Sequence, residues 1–279
     1  MIVRAPGSSA NLGPGFDTLG MAISLSAEAG VIADGEPLPD RAQPADVRHP
    51  ALVAFRRAGG EGELWVRSSL PAGRGLGFSG AVRVAGIVAA HAQQHGPDPS
   101  ALAARRFEVL ALATELEGHA DNVAASLLGG VTATAGGHAV RIPLAIDVAV
   151  VVWVPSFTTR TEQSRHRLAA TVPFADAVFN VGRAALLVAA LAAGDRTALR
   201  AAMADRLHQD VRLASAAPSR VALDAALDHG ALCAWLSGSG PTIAALCDPA
   251  DAERIAAALP ADGRARVLQI DHAGTTITP

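Results

Sequence analysis

Twelve residues, Leu70-Pro-Ala-Gly-Arg-Gly-Leu-Gly-Phe-Ser-Gly-Ala81, constrain this chain more than any others. A strand-like alternation precedes them and an apolar run follows, so their glycines must carry a tight turn from a strand into a helix. Backbone N–H groups approach an anion closely where no side chain intervenes, and a helix N-terminus adds its dipole. The segment therefore reads as a phosphate cradle. A second feature narrows it: the 279 residues contain no lysine, and all 23 basic residues are arginine. A Walker A loop needs lysine before Ser/Thr, a protein kinase needs a strand lysine, and a pyridoxal-phosphate enzyme needs a Schiff-base lysine. Phosphate held here is neutralised by backbone dipoles, by arginine or by a metal ion. Gly75-Leu-Gly-Phe-Ser-Gly80 also spells GxGxxG. A dinucleotide fold wants that signature after its first strand, with an acidic residue ending a second strand about 20 residues on. Here that distance reaches Pro97-Asp-Pro99, a turn, which does not match.

Half the residues are hydrophobic and 18% are charged, enough to bury a sizeable core as one large domain or two ordinary ones. A net charge of −3 gives no reason to expect nucleic acid or an anionic membrane as partner. Cys233 and Cys247 form no CxxC and no disulfide framework, as in a reducing cytoplasm. The opening Met-Ile-Val-Arg-Ala-Pro has no signal-peptide pattern, and the apolar run from Val148 to Val154 is far short of the about 20 residues of a membrane span.

Residues 34–50 carry four prolines and read as a surface connection. Alternation over 62–70 suits a strand, and 81–93, apolar nearly all round, a buried helix. Ser100 can cap a second helix, with Val109, Leu112 and Leu116 on one face and Gly118 as its stop. Residues 147–154 form a β-branched run closed by Pro155, and Pro173 can start a long helix that ends at Gly194. Residues 231–236 and 243–247 read as short strands, and Asp248-Pro249 as the cap of a last helix through Leu259.

Four further segments can carry chemistry. Ala5-Pro-Gly-Ser-Ser-Ala-Asn-Leu-Gly-Pro-Gly-Phe-Asp-Thr-Leu-Gly20 packs small residues around Asn11 and Asp17, as either a turn-rich hairpin or a ligand site. Glu115-Leu-Glu-Gly-His-Ala-Asp-Asn122 gathers ionisable groups at a helix end. Glu115 or Glu117 can give one oxygen to Mg²⁺, which takes the rest from water and phosphate. His119 and Asn122 can bond a small polar substrate. Ser237-Gly-Ser-Gly-Pro-Thr242 is a tight loop between strands. Arg165 and Arg212 are unremarkable singly, the remaining histidines lack metal-ligand spacing, and no nucleophile elbow appears.

Taken in order and spacing, these segments resemble the kinases typified by galactokinase, homoserine kinase and mevalonate kinase. The opening motif, residues 71–81, residues 237–242, Glu117-Gly-His-Ala-Asp-Asn-Val-Ala and Asp176-Ala-Val-Phe-Asn make the chain most similar to the homoserine kinases in that group. The resemblance implies a two-lobed α+β fold, with a ribosomal-protein-S5-domain-2-like ATP-binding half over residues 1–150 and a ferredoxin-like half over 151–279. The active site would lie in the cleft between them. It implies transfer of the ATP γ-phosphoryl group to the hydroxyl of L-homoserine, in threonine biosynthesis, by a cytoplasmic homodimer with no nucleic-acid or membrane partner.

By the same resemblance, Pro71, Gly73, Arg74, Gly75, Leu76 and Gly77 would wrap the triphosphate, followed by Phe78, Ser79 and Gly80. Ser79 and Glu115 would hold Mg²⁺, with Glu117 close by. Asn11, Asp17, His119 and Asn122 would line the homoserine site, Asp17 at the ammonium and Asn122 at the reacting hydroxyl. Arg165 and Arg212 would take the carboxylate, with Thr161 beside them. No dedicated base is implied, since phosphoryl transfer through a loose transition state can run on positioning and charge. Asn122, Ser79 and Glu115 would then carry the catalysis. One departure is Phe78, where the family loop usually has serine. Its ring either points at the nucleotide or packs into the core. The first option makes the chain a catalytically weakened binder; a sister kinase for another small hydroxylated amino acid is the other alternative.

Overall fold

The computed structural model describes residues 1–33, 35–158 and 161–278, with the side chains of residues 161–163 outside the description. The chain opens on an antiparallel pair, β1 (Ile2–Ala10) and β2 (Leu19–Val31), in register from Val3↔Ala29 to Ala10↔Gly20 with a shift at Pro6/Gly7. After β3 (Gln43–Pro44) and α1 (Pro50–Arg57), β4 (Leu64–Ser68) pairs with the far end of β2. The glycine-rich turn follows and delivers the chain into α2 (Phe78–His95). Then come α3 (Pro99–Ala104), α4 (Arg106–Glu117) and α5 (Ala120–Leu128), and the hairpin β5 (Val131–Ala135) and β6 (His138–Ile142), whose β5 pairs with the near end of β2.

A second sheet starts at β7 (Ala149–Pro155). The chain then runs through α6 (Thr161–His166), α7 (Phe174–Ala193), α8 (Leu199–Ala202), α9 (Gln209–Leu213) and α10 (Ala217–Asp228) to β8 (Cys233–Leu236) and β9 (Ile243–Cys247). A 3-10 turn leads into α11 (Ala252–Ala258) and β10 (Gly263–Leu268), giving an antiparallel sheet in the order β10-β7-β9-β8. The last strand, β11 (Thr276–Thr278), crosses back and pairs with β1.

The period-two rule explains the core. Along β7, Val150 and Val152 face the large core that also holds α2 and the first sheet. Val151 and Trp153 face a second core against α10 and α11. Both faces of this strand are covered, so it reads as an unbroken apolar run. Helix α2 is buried on nearly every side, from Gly80 through Ala92, as its composition predicts.

Two helix starts differ from the sequence reading. Helix α2 begins at Phe78 rather than Ala81, because Gly77 in the left-handed region ends the turn there. The second helix is broken at Arg105 into α3 and α4, and its cap is Asp98, not Ser100. The Asp98 carboxylate accepts the Ser100 N–H at 2.9 Å. Helix α7 is the one described helix long and apolar enough to cross a membrane by length and composition. Asn180 ties it into this fold through bonds to the Pro14 carbonyl and Asp205 at 3.3 and 2.8 Å.

Candidate active site

Three loops distant in sequence are bonded into one floor. The N–H of Ser8, late in β1, donates to the Leu76 carbonyl at 3.2 Å. The Gly238 N–H donates to Ala10 O at 3.1 Å, and Ser237 Oγ donates to Gly75 O at 2.6 Å. Gly75 and Gly77 have φ of 75° and 70°, and there is no room at either for a side chain. A Cβ at Gly75 would lie 2.3 Å from the Ser237 carbonyl, and one at Gly77 2.1 Å from Ser8 Oγ. The glycines thus serve close packing of the three loops as well as the turn. No side chain caps α2, so its first N–H groups are left for a ligand at the mouth of the turn. Arg74 does not stand free as a phosphate ligand: Nη1 donates to the carbonyls of Pro155 and Phe157, the latter at 2.8 Å, tying the turn to the end of β7.

A cleft opens above this floor. Of the residues singled out from sequence, it is lined by Asn11, Asp17, Gly73, Arg74, Gly75, Leu76, Gly77, Phe78, Ser79, His119, Asn122, Arg165 and Arg212. Pro71 and Gly80 are not among its walls. Gly80 instead faces α5, where an added Cβ would touch Asn122 and Val123 at 3.4 Å. Thr161 opens α6, but its side chain lies outside the described residues.

Glu115 requires a correction. Its carboxylate is turned to the surface, 60% exposed, and pairs with Arg57 at 2.7 Å. Two residues further along the helix means a rotation of about 200°, and Glu117 accordingly faces the cleft. Glu117 is 13% exposed, and its Oε2 accepts the Ser79 hydroxyl at 2.8 Å. Arg83, one turn along α2, donates to the same two oxygens. A hydroxyl and one carboxylate suit a hard cation that takes its other oxygens from phosphate and water. Among the described residues no group of three His, Cys, Asp or Glu is gathered for a metal. Phe78 packs partly buried against the core, its ring edge-on to His49 at a centroid separation of 6.3 Å. The backbone cradle is thereby left intact.

The opposite wall is built on left-handed backbone at Asn11 (φ 72°) and Asp17 (φ 55°), residue types that tolerate it. Asn11 Nδ2 donates to Gly238 O at 2.9 Å, and its Oδ1 accepts the Asp17 N–H at 3.0 Å. One Arg165 nitrogen reaches both oxygens of Asp17 at 2.6 Å. Arg212 is 5% exposed and donates to Gly238 O at 3.1 Å. Its pKa is pushed below the ordinary guanidinium value, first by burial and then by the neighbouring Arg165 charge. The Nε atoms of both arginines are buried and have no hydrogen-bond partner among the described residues. Beside Arg212, His208 is held below the usual imidazole range by burial. Asn122 Oδ1 accepts the Ser8 hydroxyl at 3.0 Å.

Sequence reasoning missed Asp121, which lines the cleft while 2% exposed and has its pKa pushed up to about 7, first of all by burial. Its neighbours had been singled out, and a carboxylate in the first turn of a short helix was the available signal. Arg83 was hidden as the one charge in an apolar run, and Gly238 and Ser239 lay in a loop whose role needed its partners.

The GHMP kinases N terminal domain matches residues 47–130, and GHMP kinases C terminal matches residues 187–265. The chain is 41% identical to the homoserine kinase of Moorella thermoacetica, over 88% of this chain and 87% of that one. It is also 41% identical to the homoserine kinase of Streptomyces avermitilis, over 99% and 95%. The chain belongs to the homoserine kinase family. A crystal structure of homoserine kinase from Cytophaga hutchinsonii has the same fold, with a TM-score of 0.82 at 24% identity over 100% of this chain and 97% of that one. Membership in the homoserine kinases makes the chain a small-molecule phosphotransferase on the two-lobed α+β fold expected from its motifs.

Proposed function

We propose that this chain transfers the γ-phosphoryl group of ATP to the hydroxyl of L-homoserine, giving O-phospho-L-homoserine on the route to threonine. One observation carries the reading. Two arginines whose buried Nε atoms have no partner among the described residues, with the Asp17 carboxylate against one of them, line the same cleft as an uncapped helix N-terminus wrapped in glycines. Triphosphate suits the helix end, and an α-amino acid suits the charges.

The α-carboxylate would bond Arg165 and Arg212, whose planar forks match it. The ammonium would bond Asp17. Asp17 and Arg165 now satisfy each other, so a zwitterion would replace both halves of that ion pair in one step. Asn122, held by Ser8, would orient the hydroxyl, with Asn11 and His119 beside it. Mg²⁺ would be held by Ser79 and Glu117, and when bound it supplies charge neutralisation on the phosphates. Arg83 balances Glu117 on the protein's side. With reactants held in line, a loose transition state needs little proton transfer, and the phosphate itself can accept the proton. Residues 1–150 would form the nucleotide-binding half and 151–279 the second half, with β11 returned to the first sheet. A cytoplasmic homodimer is the assembly we expect.

The test is ADP release with MgATP and L-homoserine, L-serine, L-threonine, mevalonate or no acceptor. Turnover with L-homoserine alone is the expected result. ATP binding without turnover on any acceptor would mean a non-catalytic relative, with Phe78→Ser as the next variant.

A further inference from the structure

Phe16 stands in the loop between β1 and β2 and donates no hydrogen bond from its side chain, yet three charged or titratable groups converge on its ring. The Arg165 guanidinium lies 5.2 Å from the ring centroid and the Arg212 guanidinium 5.1 Å. The His208 imidazole stacks on it at 5.0 Å with 28° between planes. The two guanidiniums carry like charge and repel. Arg165 has Asp17 as a counter-ion, whereas among the described residues the Arg212 guanidinium donates to the Gly238 carbonyl and His208 and feels the carboxylates of Asp17, Asp205 and Asp121 only without an ion-pair contact.

The state of His208 follows from its bonds. Its Nε2 faces the Gly13 carbonyl at 2.8 Å, and a carbonyl only accepts, so Nε2 carries the proton. Nδ1 is then a lone pair, and Arg212 Nη1 donates to it at 3.3 Å. Asp205 fixes this histidine from behind, accepting the N–H groups of His208 and Gln209 at 2.8 and 2.7 Å. Beside Asp17 on Arg165, a neutral imidazole on Arg212 and a phenyl ring on both thus hold the arginine pair. Neither takes up its positive charge. A carboxylate in their place would neutralise the pair, and an aliphatic side chain would not attract it, whereas an aromatic face attracts cations and leaves their charge available.

We propose that Phe16 is a positioning residue for the substrate carboxylate: its ring holds Arg165 and Arg212 together and aimed, so that a carboxylate that displaces Asp17 from Arg165 meets both guanidiniums at once. This rests on the carboxylate assignment made under Proposed function. The ring would act on acceptor binding and leave nucleotide binding and the chemical step alone.

Phe16→Leu removes the ring face and Phe16→Tyr keeps it. In steady-state assays, Phe16→Leu should raise KM for L-homoserine about tenfold, with kcat and KM for MgATP within twofold of the parent. Phe16→Tyr should stay within threefold on all three. Equal KM increases in both variants, or an equal loss in kcat or MgATP binding, would overturn the proposal and make Phe16 a packing residue. Should Phe16→Leu not fold, Phe16→Met is read in its place against the same limits. Arg165→Ala separates the two levels. No change in its KM for L-homoserine would remove the carboxylate assignment itself. A raised KM there with an unchanged one in Phe16→Leu would remove Phe16 alone.

Discussion

Asp121 sits almost fully buried beside a loop that has to bind charge, and its carboxyl is pushed up to about 7 from 3.8. Between those values the native protein holds a proton that the unfolded chain has released, so stability falls as pH rises across the window. A shift of that size corresponds to on the order of 4 kcal/mol, at about 1.4 kcal/mol per unit. Asp121→Asn should therefore raise Tm by several degrees at pH 8 and by much less at pH 5, measured by calorimetry. An equal gain at both would mean that Asp121 titrates normally. For its neighbour, Asn122→Ala should lower kcat at least tenfold with little change in ATP affinity; an unchanged kcat would remove Asn122 from the hydroxyl. For the metal pair, Glu117→Gln should raise the Mg²⁺ concentration giving half-maximal activity severalfold, while Glu115→Gln leaves it unchanged. The reverse result would restore Glu115. That choice was not legible in the sequence. Both glutamates lie near the end of one helix, and only the packing of α4 against α2 decides which of them faces Ser79. Phe78 was undecidable for the same reason, because the ring's pocket is built by His49 and core residues remote in sequence.

At the scale of elements, punctuation was the legible part. Gly118 and Gly194 stop their helices with φ of 82° and 75°, and Pro173 is the N-cap of α7. The apolar runs became β7, β8 and β9. Strands β1 and β2 were harder, because they are rich in Ala, Ser and Gly and, over residues 5–10 and 19–23, buried on both faces, which leaves no alternation to read there. Helix α2 was extended by three residues that carry no helix signal, Phe78, Ser79 and Gly80. Its start is set instead by Gly77, held in a left-handed turn against Ser8. Gly77→Ala would force a Cβ onto Ser8 and strain φ, so it should open the joint between the turn and β1. We expect kcat/KM for MgATP to fall about a hundredfold, or the fold to lose a few kcal/mol. Wild-type values on both counts would show that the loops are joined elsewhere.

Across the whole molecule, the fold is closed by ties between residues far apart in sequence. Strand β11 pairs with β1, Thr275 Oγ1 donates to the Ser126 carbonyl at 2.9 Å, and Arg74 reaches carbonyls at the end of β7 and just beyond it. Truncation after Ala273 should lower Tm by several degrees, since it strips an edge from the strand that carries the opening motif. An unchanged Tm would make β11 dispensable. None of these ties could be foreseen, because each joins residues that share no local pattern.

The bond from Arg165 to both oxygens of Asp17 gives the cleft a ruler. Its cation and anion rest in contact, so a guest that takes over both must carry its own opposite charges about as close together. An α-amino acid bears ammonium and carboxylate on one carbon and meets that measure. A β- or γ-amino alcohol acid of the same formula, with its charges spread along the chain, would satisfy one partner and strand the other. On the proposed assignment of Asp17 and Arg165, discrimination between such isomers would be set by the spacing of two side chains, independently of the hydroxyl.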